Sequence, residues 1–78
     1  RHTFFSPDGS EAYVTLEFEN ASAVVNGKSL EVLHHIRVGH MPHFAIVVGD
    51  KLFVTNFGSA DLTVVDRRSH AILGTIPV

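Results

Sequence analysis

Six histidines in 78 residues make proton transfer and metal binding the first questions this sequence raises. Arg1-His2 opens the chain, and Glu17 closes the apolar run that follows the "SPDGS" stretch. His40-x-x-His43 is the closest histidine pair apart from His34-His35. Zinc takes three or four ligands in a tetrahedron, and without cysteine the weak candidates are His2, His40 and His43. His34 and His35 are adjacent, so on a strand they point to opposite faces and cannot share one ion. No acid stands at matching spacing beside His40 and His43, so the expectation from sequence is no metal and no cofactor.

The elements that must position these side chains are written in a repeat. Residues 13–38 over residues 53–78 share eight identities in 26 positions: Val14/Val54, Thr15/Thr55, Val24/Val64, Val25/Val65, Ser29/Ser69, Leu33/Leu73, Ile36/Ile76 and Val38/Val78. Average residue usage gives roughly one or two by chance. Upstream, His2 aligns with His43 at an offset of 41, which implies one extra residue near the first copy's "SPDGS" turn. "SPDGS", "VGDK", "NGKS" and "DRRS" carry tight-turn chemistry at corresponding places. Between them lie short runs rich in Val, Ile, Phe, Tyr and Thr, read as strands. Their expected spans are 2–6, 11–16, 21–26, 31–38, 43–48, 51–56, 61–66 and 71–78. "KSLEVLHHI" has helical spacing, but its repeat mate "RSHAILGTI" contains Gly74 and β-branched residues, so both read as strands.

Four antiparallel strands every forty residues is the period of a β-propeller blade. The expected fold is all-β: blade 1 over 1–39 and blade 2 over 40–78, as one continuous domain fragment. Two blades cannot close a ring, and each leaves an apolar face uncovered. Neighbouring blades are therefore expected as partners, from the same longer chain or from a homo-oligomer. Arg1 reads as a cut or processed end. The net charge of −2 and the scattered Lys and Arg exclude a nucleic-acid stripe. The longest apolar run, Phe44 to Val48, is too short to span a bilayer.

"LFVTNFGSADLTVVDRRSHAILGTIPV" resembles the YVTN-type β-propeller repeat: Phe53-Val54-Thr55-Asn56, then Val64-Val65-Asp66, then Ile76-Pro77-Val78. The first copy departs from that pattern at Leu16 and at Asn26-Gly27. The resemblance implies a binding or scaffold propeller, not an enzyme, of the periplasm or cell surface. An unknown small molecule or protein would sit at the channel rim, with His43, Asn56 and Phe57 as rim residues and His2 and His43 in equivalent places of adjacent blades. Arg1-His2, "SPDGS" and Glu17 also resemble the lactonase-type propellers, which would make the protein a cytoplasmic lactone hydrolase. That likeness implies Arg1 as a carboxylate or phosphate clamp, Glu17 as general base and His2 as a second acid–base group. The plain alternative is an ion pair of Arg1 with Glu17 across the rim. More remote is a haem held by histidine over the channel, as in propellers similar to nitrite reductase. Asn20-Ala21-Ser22 matches a glycosylation acceptor. His70, Arg67 and Arg68 read as solvated side chains of an outer hairpin.

Overall fold

The computed structural model describes residues 2–78; the expectation for Arg1 lies outside the described residues. Eight strands follow in chain order: β1 (His2–Phe5), β2 (Glu11–Leu16), β3 (Ala21–Asn26), β4 (Val32–Arg37), β5 (Pro42–Val48), β6 (Lys51–Asn56), β7 (Asp61–Asp66) and β8 (Ile72–Pro77). They form two four-stranded antiparallel sheets, β1-β2-β3-β4 and β5-β6-β7-β8, each a simple meander. The turn chemistry explains this order. In "SPDGS", Asp8 Oδ1 accepts hydrogen bonds from the Ser10 N–H at 3.0 Å and the Ser6 hydroxyl at 2.8 Å. Asn26 Oδ1 accepts from the N–H groups of Lys28 and Ser29, and Asp66 Oδ1 does the same for Arg68. Each side chain closes its own hairpin in place of a backbone acceptor.

The core lies between the two sheets. Tyr13, Val24 and Ile36 of the first meet Ala45, Leu52, Val54 and Val65 of the second, all buried. Alternation along each strand puts these residues on one face. The opposite face of the second sheet stays open, with Phe44, Ile46, Val48 and Ile76 exposed.

The strand register corrects one expectation. His2 pairs with Thr15, whereas Phe44 pairs with Thr55. Thirteen positions separate the first pair and eleven the second, so the first copy's turn is longer by two residues, not one. His2 therefore matches Phe44, and His2 and His43 are not equivalent positions. His43 is instead an extra residue on β5, where the register shifts between Pro42 and Phe44. Such a bulge is where proline fits an edge strand, since it has no N–H to give the ladder. Pro42 and Ala45 are both buried although they are three apart, and strict alternation forbids that. The extra residue reconciles them.

The longer first turn has a second consequence. Gly27 lies where a Cβ would fall 1.9 Å from the Gly9 carbonyl oxygen, so only glycine fits under "SPDGS". Its repeat mate is Arg67, which lies beneath the shorter Gly49-Asp50 turn. There is room there for a long side chain, and Arg67 is not a solvated hairpin residue as the sequence suggested. Its Nε donates to the Tyr13 hydroxyl at 2.8 Å, and its Nη1 donates to the Gly49 carbonyl at 2.8 Å. Its Nη2 stands 3.5 Å from Glu11 Oε1, and the Tyr13 hydroxyl also donates to that oxygen. One arginine of the second sheet thus clamps two residues of the first. His70 likewise does not stand alone, because its ring stacks on His34 across the sheets at 4.8 Å.

Candidate functional site

Three titratable side chains from three elements converge where β1 begins, β2 ends and β5 begins. The ligand atoms of His2, Glu17 and His43 all lie within 4.8 Å of one another. The rings of His2 and His43 meet edge to face, with centroids 4.4 Å apart. Glu17 opens a single 3-10 turn, Glu17–Glu19, that the sequence read only as a connection. Beside this group an open cleft of about 320 Å³ is lined by Glu17, Met41, His43 and Phe57. Phe57 is 80% exposed and forms an apolar wall, its ring 6.5 Å from that of His43.

Two hydrogen bonds between the sheets hold the group together. Thr15 is wholly buried, and its Oγ1 accepts from the His2 N–H at 3.2 Å. The same hydroxyl lies 3.3 Å from the His43 carbonyl and 3.4 Å from that of His2, so its one proton serves this pair of acceptors. It joins the backbones that carry the two rings. The second tie starts from Asn20, which ends the Glu17 turn in a left-handed conformation. Its Oδ1 accepts from the Met41 N–H at 3.1 Å, two residues before His43. Met41 itself has φ 52, a conformation that costs a non-glycine residue about 1–2 kcal/mol. Its carbonyl accepts from the Phe57 N–H at 2.9 Å, so both peptide groups of this strained residue are tied down.

The sequence expectations fall out unevenly. His2 and Glu17 are brought together, and so are His43 and Phe57. Asn56 is not a rim group: it is 2% exposed, and its amide nitrogen donates to Asp61 Oδ1 and Thr63 Oγ1 inside its own sheet. His40 is not in the cluster of potential ligands; its backbone instead bonds Ser59 and Gly58. Glu17 takes the place the sequence gave to His40. In the Asn20-Ala21-Ser22 stretch, Ser22 is wholly buried and Asn20 Oδ1 accepts from the Met41 N–H. Thr15 and Asn20 were missed as positioning residues. Thr15 shares its repeat position with Thr55, which bonds only Phe44 of its own sheet.

Solved structures carry the same fold. The chain superposes on hydrazine synthase from Kuenenia stuttgartiensis with a TM-score of 0.95 at 26% identity, over 99% of this chain and 22% of that one. The fold is that of a β-propeller. The two sheets are two consecutive four-stranded blades. Apo AztD from Citrobacter koseri gives a TM-score of 0.86 at 22% identity, over 100% of this chain and 23% of that one. Dihydro-heme d1 dehydrogenase NirN, in complex with DHE, gives 0.85 at 24% identity, over 100% of this chain and 17% of that one. The chain thus spans between 17% and 23% of the length of these propeller structures. No family model matches the sequence, and no curated protein does. Proteins of such different names share the blades that the function must come from the site and not from the fold. The open apolar face of blade 2 is the kind of surface on which a further blade packs. Among the described residues no helix is long and apolar enough to cross a membrane.

Proposed function

We propose that these two blades are a ligand-binding module of a propeller of the cell envelope, with the ligand held on the rim by His2, Glu17 and His43 against Phe57. One observation carries this reading: groups from three elements and both blades meet beside an open cleft. No single hairpin brings them together; the packing of one blade on the next does. The envelope location rests on the YVTN resemblance.

The test is native mass spectrometry of the protein as isolated from its own source, gently desalted. A bound species is expected on the wild type and absent from the His2→Ala/His43→Ala double variant. No bound species, or the same species on both proteins, would refute the rim site.

A hydrolytic reading is favoured by one feature, the Glu17 carboxylate beside two imidazoles, an arrangement suited to general-base chemistry. Under the binding reading δ-gluconolactone opens no faster with the protein than without it. Turnover that disappears in Glu17→Gln would replace the binding module with a lactone hydrolase.

A further inference from the structure

We propose that His2, Glu17 and His43 form a binding site for a divalent transition-metal ion, of which zinc is the simplest probe. The inference rests on the rim site above and names its ligand class.

The donor set is two imidazoles and one carboxylate. Nitrogen-rich sets of this kind suit zinc and its first-row neighbours, whereas calcium and magnesium ask for oxygen ligands throughout. The distances fit as well. A point equidistant from three atoms 4.8 Å apart lies about 2.8 Å from each, and zinc bonds at about 2.0–2.2 Å. Closure therefore asks each side chain to move by about 0.8 Å at most. Both histidines are exposed and Glu17 is half-buried, so small torsional changes supply this. Three protein ligands leave a fourth position open toward the Phe57 cleft, the pattern of a site that exchanges or activates a ligand rather than one that only braces a fold.

The support around the ligands is what a metal site needs beyond its first contacts. Thr15 fixes the His2 and His43 backbones to each other, and Asn20 fixes the Glu17 turn to the loop that enters His43. The bulge at His43 adds a further device, for bulges re-aim side chains at functional sites. The second ring comes from an added residue in β5 and not from a repeated position. A structural ion pair needs none of these.

The experiment uses the whole protein after chelator treatment, titrated with Zn2+ by calorimetry and with Co2+ by visible absorption. One equivalent of Zn2+ per site is expected, and Co2+ should give the intense visible bands of a low-coordinate site. His2→Ala, His43→Ala and Glu17→Gln should each weaken binding at least tenfold, while His40→Ala leaves it unchanged. All these side chains but Glu17 are exposed, so folding is preserved; for Glu17→Gln, an unchanged circular dichroism melt certifies it. In the wild type, Zn2+ should also shift the ring resonances of His2 and His43 but not those of His40. No saturable zinc binding, or binding that survives the His2→Ala/His43→Ala double variant, overturns the metal assignment. If zinc fails while native mass spectrometry still shows a species lost in that double variant, the rim site stands and only its ligand class is wrong.

Discussion

Replacing Arg67 by methionine should lower stability by about 2 kcal/mol, far more than Arg68→Met, which should stay within about 0.5 kcal/mol. Arg68 is exposed, whereas the Arg67 side chain is 19% exposed and reaches Tyr13, Gly49 and Glu11 at once. Methionine keeps most of the length and removes the donors. The loss is that of hydrogen bonds to a charged, largely buried group, not of a surface ion pair. Glu11 is left with the Tyr13 hydroxyl as its partner, a contact that links no blades. The measurement is the urea midpoint at unchanged slope. Equal effects of the two methionines would mean that Arg67 does not clamp the blades.

The same cluster gives a pH signature. Burial first, and then the bond to Glu11, push the Tyr13 phenol up from 10.0 to about 12, against the opposing pull of Arg67. A raised value means that the fold prefers the protonated phenol. Its contribution is fully present below pH 10 and is lost as pH rises through about 12. Tyr13→Phe should flatten that alkaline decline.

The second large effect belongs to Thr15→Val, expected to cost about 1–3 kcal/mol. Valine copies the shape of threonine, so the loss reports the hydroxyl and not a cavity. That hydroxyl is buried and joins β1 of one blade to β5 of the next. Thr55→Val is the internal control. It removes the hydroxyl from the same repeat position, but one bonded only within blade 2 and partly open to solvent. Thr15→Val should exceed Thr55→Val by about 1 kcal/mol, and Thr15→Ser should recover most of the difference. Equal costs would show that Thr15 does not bridge the blades.

What could be read from the sequence was what each blade does alone. Turn residues close their own hairpins, so "SPDGS", "NGKS" and "DRRS" marked the strand ends to within a residue or two. Runs rich in Val, Ile, Phe, Tyr and Thr marked the strands, while which of their residues are packed, such as Tyr13, Leu52 and Val54, came only from the structure. Contacts between blades were harder to read, because a repeat makes corresponding positions look alike while packing sets unlike positions side by side. His43 meets Glu17 and His2, not His40, because of a bulge that no composition signals. Arg67 and Gly27 carried a signal that went unused. A glycine and an arginine at one repeat position report different space there, and the difference in first-turn length explains it. Asn56 resembles a rim residue by position, yet it is buried and its amide nitrogen is taken up by Asp61 and Thr63.

The most direct test of this account is the distance between two imidazoles. In the nuclear Overhauser spectrum of the whole protein without added metal, ring protons of His2 and His43 should show cross-peaks, as centroids 4.4 Å apart require. His40 should show none to either ring. Their presence would establish that blade packing and the β5 bulge build one rim site from both blades. Cross-peaks missing between His2 and His43, with the Phe4–Phe44 contact at 4.7 Å still seen, would contradict it: the blades would be packed as described and the site would not exist.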